Sequence, residues 1–194
     1  MLDSTLYFAT SNAYKFAEFH RLFAKRGVQL QQIDISIAEI QTVDMEAIIR
    51  DKVVKAYSAV SRPVLVDQSG LAMAALKGLP QGLNNQFWDV LKDQVCALAS
   101  RAGNRRAEII VYLGFCDGKR IYSVSDRLQG KMALRPASVG TFHLDRVFIP
   151  DGFRKTLAEM KQKERDSISH RAKAAQKAVM LMKSIALGKY LGLK

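Results

Sequence analysis

Short apolar runs that read as buried strands alternate along this chain with segments whose apolar residues recur at helical spacing, and that alternation restricts it to the α/β class. Leu6-Tyr7-Phe8-Ala9 is the first run, and Thr10-Ser11-Asn12-Ala13-Tyr14-Lys15 turns it into a helix with Phe16, Phe19, Leu22 and Phe23 on one face. Residues 28–35 alternate as a strand, and 45–60 form an amphipathic helix with Ile48, Ile49, Val53, Ala56 and Val60 inward. Pro63-Val64-Leu65-Val66 is a buried strand that ends at Asp67. Residues 78–82 turn and 87–99 are helical, while 107–115 and 121–132 are strands joined through Asp117-Gly118, a hairpin signal. A loop at 133–140 follows. The last helix runs from about Ser169 to Leu187, with Ala172, Ala175, Val179, Met182 and Ala186 at helical spacing. No repeat, low-complexity segment or linker divides the 194 residues, so one domain over 1–194 is expected.

Composition excludes some classes and favours others. No apolar run approaches the roughly 20 residues of a membrane helix. Met1-Leu2-Asp3-Ser4 lacks the basic start and apolar run of a signal peptide. Cys96 and Cys116 are far apart, without metal or redox spacing, and read as buried reduced thiols, so a cytoplasmic protein is the simplest account. The net charge of +12 favours polyanionic partners, nucleoside triphosphate or nucleic acid. The basic residues are spread along the chain, and Lys173 and Lys177 lie four apart as on a solvated helix face, so nucleic acid is the less favoured partner.

Three places carry chemistry. Asp67 directly follows a buried apolar strand and emerges where α/β sheets place their ligands. Thr10, Asn12 and Lys15 occupy a strand-to-helix turn, which suits a phosphate held by backbone N–H groups and one cation; the Gly-x-x-x-x-Gly-Lys loop is absent. Ser169-His170-Arg171 follows the charged, hydrophilic segment 161–166, read as a basic loop, and opens the last helix. A capping Ser with His and Arg beside free N–H groups favours an anion there too, although an ordinary capped surface helix has the same look.

In their shared order these segments resemble the inosine triphosphate pyrophosphatase family, which hydrolyses non-standard purine nucleoside triphosphates to monophosphate and pyrophosphate. Thr10, Asn12 and Lys15 match its opening Thr-x-Asn-x-x-Lys, and Ser169-His170-Arg171 its closing motif. Ala38-Glu39-Ile40-Gln41 resembles the segment bearing the metal-binding Glu. Asp67-Gln68-Ser69-Gly70-Leu71, Ala75-Leu76-Lys77-Gly78-Leu79-Pro80 and Phe148-Ile149-Pro150-Asp151-Gly152 fill the places between. The resemblance covers nearly the whole chain. It implies a central mixed, elongated sheet flanked by helices, with a nucleotide cleft between two lobes, and a homodimer. It also implies Mg²⁺ held by Glu39 and Asp67, and catalysis at Asp67 and Gln68. Substrate would be bound by Thr10, Asn12, Lys15, Lys52, Ser69, Phe142, Asp145, Arg165, Ser169, His170 and Arg171. Lys52, on the polar side of its helix, would hold phosphate. Phe142 would stack on the purine and Asp145 would accept from its Watson–Crick edge.

The departures bear on activity. The family's catalytic Asp falls on Gln68, and a neutral amide cannot act as a general base, although Asp67 precedes it. The family's Phe-Gly-aromatic-Asp-Pro loop is here Phe142-His143-Leu144-Asp145-Arg146, where His143 and Arg146 suggest an altered ligand, and Arg165 stands for a Lys. The favoured function is a Mg²⁺-dependent purine nucleoside triphosphate pyrophosphatase. The alternatives are a catalytically impaired nucleotide-binding or sensor protein of the same fold, and a basic nucleic-acid-binding protein.

Overall fold

The computed structural model describes residues 5–140, 143–185 and 192. In chain order the strands are β1 (Leu6–Ala9), β2 (Leu30–Ile33), β3 (Val64–Met73), β4 (Arg106–Cys116), β5 (Ile121–Met132) and β6 (Phe148–Pro150). The helices are α1 (Ala13–Ala24), α2 (Met45–Val60), α3 (Asn84–Leu91), α4 (Val95–Arg101), α5 (His143–Val147), α6 (Gln162–Ile168) and α7 (His170–Ser184). One six-stranded sheet runs in the order β2-β1-β3-β4-β5-β6. β1 is parallel to β2 and β3, and the remaining pairs are antiparallel. This is a mixed α/β sheet flanked by helices, as expected.

The period-2 alternation of β1 and β3 sorts their side chains between two layers. Leu6, Phe8 and Leu65 pack with Phe19, Leu22 and Phe23 of α1 and with Ala174, Ala175 and Val179 of α7 on one face. Tyr7, Ala9, Val64 and Val66 pack with Ile49, Val53 and Ala56 of α2 on the other. The long strands continue beyond these layers into a second core, where Leu71, Met73, Ala107, Ile109 and Met132 meet Trp88, Val95, Cys96, Leu144, Phe148 and Leu157. β3 therefore passes from one core to the next, and residues 67–69 lie at the crossing.

Several elements differ from their sequence-based bounds. The strand expected over 28–35 is reduced to Leu30–Ile33, because this is a sheet edge and Ile35 and Ile37 leave the ladder to pack against the α2 layer. The strand expected to stop at Asp67 continues to Met73, since β4 pairs with it along all ten residues. Asp67 is thus mid-strand, although it still lies beyond the end of β1, whose last pairing with β3 is Phe8↔Leu65. The helix expected over 87–99 divides into α3 and α4 at Lys92, whose φ of 46° interrupts helical geometry. The charged segment before Ser169 is not a loop: α6 forms there, with the Glu164 carboxylate accepting from Lys161 N–H at 2.8 Å. A stripe of charged residues had no apolar period to reveal it. Part of the expected base-binding loop is likewise helical, as α5.

The hairpin and α2 match expectation closely. Arg120 and Lys119 N–H groups donate to the Asp117 carboxylate, and Gly118 takes φ 95°, which favours glycine. Both cysteines are buried and unbridged. Met1-Leu2-Asp3-Ser4, Phe142, Ala186 and Leu187 lie outside the described residues. Among the described residues no helix is long and apolar enough to cross a membrane.

Candidate active site

A polar cavity of about 380 Å³ opens where β1 ends and α1 begins, lined by Thr10, Ser11, Asn12, Lys15, Glu39, Gln41, Lys52, Asp67, Asn85 and Gln86 among others. Local chemistry builds its first wall. Asn12 caps α1, its side-chain oxygen accepting from Lys15 N–H at 3.0 Å, and Thr10 Oγ1 accepts from Asn12 N–H at 3.2 Å. The first turn of α1 carries no acidic residue, so the positive end of the helix faces the cavity uncompensated.

The alternation of β3 builds the floor. After Leu65 on the α1/α7 face and Val66 on the α2 face, Asp67 returns to the first and Gln68 to the second. Asp67 Oδ2 accordingly meets Lys15 Nζ of α1 at 2.9 Å, and Gln68 Oε1 accepts from Lys52 Nζ of α2 at 3.1 Å. Lys52 also donates to Glu39 Oε1 at 2.7 Å and to the Asp67 carbonyl at 2.9 Å. Gln68 Nε2 lies 3.5 Å from Glu39 Oε2. Two lysines and two carboxylates thus form one balanced cluster, bridged by the Gln68 amide. Asp67 and Gln68 are 3 % and 4 % exposed, and Lys52 only 9 %. Lys52 is therefore not on a polar helix face: three acceptors draw it inward.

Burial pushes the Asp67 carboxyl up, but Lys15 and Lys52, with Arg171 beyond them, outweigh it and hold the group below the usual carboxylate range. Asp67 is ionised at neutral pH and suited to a cation. While Lys15 stays in contact it is a weak proton acceptor.

A second cleft, lined by Glu18, Asp145, Arg165, Ser169, His170 and Arg171, lies on the α6–α7 side. Ser169 caps α7, its Oγ accepting from Ala172 N–H at 3.0 Å. Asp145 Oδ2 receives Arg165 at 2.5 Å and the Tyr14 hydroxyl at 3.3 Å, and Arg165 donates to that hydroxyl at 2.6 Å. Arg171 pairs with Glu18 of α1 at 2.6 Å, and Arg21 forks onto Asp166 with two contacts of 2.9 Å. These pairs bind α1, which walls the first cavity, to the segment that lines the second cleft.

Every proposed site residue with a described position except Ser69 lines one of these clefts or contacts a residue that does. Ser69 is buried beside Gln68 on β3, its hydroxyl without a hydrogen bond among the described residues. The two additions to the base loop do not join the second cleft. His143 stacks on Trp88, with ring centroids 5.8 Å apart, and Arg146 donates to the Ala137 carbonyl at 2.9 Å and faces Asp93 at 3.7 Å. They brace the loop and line a separate cavity of about 480 Å³ with Trp88 and Asp93, which shares Asn85 with the first cavity. Asn85, Gln86, Tyr14 and Glu18 were missed by sequence reasoning. The last two fall in a helix read only for its apolar face and for Lys15.

His170 is buried, and neither ring nitrogen makes a hydrogen bond among the described residues. Burial, then the positive charges of Arg171, Lys173 and Arg165, holds its pKa well below the ordinary value. Unfolded chains take up this proton as pH falls below about 6.5 while the folded protein resists it, so stability falls on acidification through that range. His170→Gln is expected to remove up to about 1.4 kcal/mol per pH unit from the slope of unfolding free energy between pH 6.5 and 5, read by urea titration. Identical slopes in parent and variant would refute this role.

Residues 6–181 match the Ham1 family model. The dITP/XTP pyrophosphatase of Methanopyrus kandleri is 30 % identical over 184 residues, covering 94 % of this chain and 98 % of that protein. That of Thermococcus kodakarensis is 34 % identical over 170 residues, covering 87 % and 92 %. The inosine triphosphate pyrophosphatase of Tuber melanosporum is 32 % identical over 178 residues, covering 90 % and 95 %. In fold the chain is similar to the Ham1 protein of Staphylococcus aureus, with a TM-score of 0.75 at 20 % identity over 93 % of this chain and 98 % of that one. With the family model spanning both clefts and the whole sheet, this chain belongs to the Ham1 family.

Proposed function

We propose that this chain is a nucleoside triphosphate pyrophosphatase that cleaves purine nucleoside triphosphates, non-standard ones included, between the α and β phosphates. The observation that carries this reading is the balanced Lys15–Asp67 and Lys52–Glu39 cluster at a capped helix N-terminus inside one polar cavity. The family and the names of the relatives support it. An entering triphosphate competes for Lys15 and Lys52, and the N-terminal N–H groups of α1 face the same anion. Water attacks the α phosphorus and gives its proton to Asp67, from which the triphosphate has drawn Lys15 away; the bond to the bridging oxygen breaks, and pyrophosphate leaves with its charge held by the lysines.

The residues fit Mg²⁺. Glu39 and Asp67 line the same cavity, and Mg²⁺ is usually held by one or two carboxylates together with substrate phosphate oxygens and waters. Among the described residues no three His, Cys, Asp or Glu side chains form a cage, so the remaining ligands belong to substrate and solvent. When bound, the ion supplies neutralisation of phosphate charge. The cytoplasmic location and homodimer expected from the sequence belong to the same reading.

Gln68 favours a second reading, a nucleotide-binding protein without turnover, because its amide takes no proton from water. We favour a slow enzyme dependent on Asp67. Dedicated nucleic-acid binding is less well supported: Lys177, Arg127 and Arg106 are committed to Asp126, Glu108 and Asp151 at separate places on the surface. A pyrophosphate-release screen over standard and deaminated nucleotides is expected to give monophosphate and pyrophosphate with Mg²⁺, and none in chelator. Release of orthophosphate, or equal rates in chelator, would overturn the reading.

A further inference from the structure

We infer that Tyr14 is a specificity-determining residue, which positions the Asp145 carboxylate to read the base through a ring of hydrogen bonds shared with Arg165. The inference rests on the nucleotide-site reading above and adds a residue to it.

Tyr14 sits in the first turn of α1, immediately before Lys15, whose ammonium reaches Asp67 in the phosphate cavity. Its hydroxyl points to the other cleft, donating to Asp145 Oδ2 at 3.3 Å and accepting from Arg165 at 2.6 Å. Arg165 closes the ring by donating to the same Oδ2 at 2.5 Å. Burial, then the Asp145 charge, raises the Tyr14 pKa, so the phenol keeps the proton it donates.

Both contacts fall on Oδ2. Among the described residues no hydrogen bond reaches Oδ1 of Asp145, which is itself 5 % exposed. A carboxylate oxygen only accepts. Held in this way, Oδ1 pairs with a base edge that carries an N–H, as N1 of a 6-oxopurine does, and repels one that carries a lone pair there, as N1 of a 6-aminopurine does. Without the Tyr14 hydroxyl, Arg165 alone holds Oδ2, and the carboxylate is free to turn its acceptors away from the base edge. Because Tyr14 and Lys15 share one helical turn, base reading and phosphate grip are carried on one rigid element.

The test is Tyr14→Phe in the full chain, which removes one oxygen and keeps the ring. Binding of the α,β-methylene analogues of inosine and adenosine triphosphate, which cannot be cleaved at that bond, is measured by calorimetry with Mg²⁺. The parent is expected to prefer the inosine analogue, and Tyr14→Phe to reduce the ratio of the two affinities about tenfold, mainly through weaker inosine binding. Weakening of both analogues by the same factor, or an unaltered ratio, would assign Tyr14 a structural role only and overturn the inference. A parent that binds both analogues equally would also overturn it. A parent that binds neither would overturn the nucleotide-site reading itself.

Discussion

Asp67→Asn is expected to lower the rate of pyrophosphate release by about 10²–10⁴-fold, the range for loss of a catalytic acid–base group. The upper end applies here, because the same carboxylate would hold the metal. In this site Asp67 is the only proposed catalytic residue that bears a charge, and its oxygen meets Lys15 at 2.9 Å with little access to solvent. The amide also leaves Lys15 without its ion-pair partner, while Lys52 keeps Glu39, and this destabilises the fold. That cost stays below the about 3–5 kcal/mol of breaking a fully buried pair, since Lys15 is 18 % exposed and can turn to water. Circular dichroism and thermal unfolding separate the two effects: a folded variant without turnover supports the assignment. A variant as active as the parent would refute it and move the protein to the binding reading.

Gln68→Asp is the converse experiment, with an expected gain. The native amide lies between Lys52 and Glu39, where it balances the cluster without adding charge. An aspartate at that position faces α2, as Gln68 does, so the new carboxylate joins Lys52 and adds a third negative group beside the two proposed metal ligands. Turnover is expected to rise by about 10²-fold, toward the contribution of a restored general base, with little change in nucleotide affinity. The pH–rate profile gains an acid limb, because a new titrating group enters the reaction. The divalent cation concentration at half-maximal rate falls as negative charge accumulates. A drop in turnover would instead mean that the amide itself orients the attacking water.

Much of this architecture was legible without coordinates. The continuous apolar run 64–66 reads as a strand buried on both faces, and helical spacing in 45–60 reports which side of that helix faces the core, because burial of apolar area is the dominant driving force. The hairpin at Asp117-Gly118 and the cap at Ser169 are local devices, written in a few neighbouring residues, and the structure has them where expected; the cap at Asn12 is equally local but was not read from the sequence. The family resemblance rested on motif order, and the Ham1 family match over residues 6–181 bears it out.

Other features had no local signature. α6 has no apolar stripe, so its charged residues resemble a loop until Arg21 and Tyr14 of α1 receive Asp166 and Arg165. Lys52 reads as a surface lysine because hydropathy assigns it to solvent; its depth is set by Glu39, Gln68 and the Asp67 carbonyl, which arrive from two other segments. The sequence by itself determined most of the strands and helices and the starts of α1 and α7, since these follow from short-range periodicity and backbone chemistry. Only the tertiary structure decided that β3 runs on past Asp67, that Asp67 and Gln68 face opposite helices, and that Tyr14 meets Asp145 across 131 residues. Those outcomes depend on strand register and on the pairing of charges brought together by folding, which no local pattern encodes.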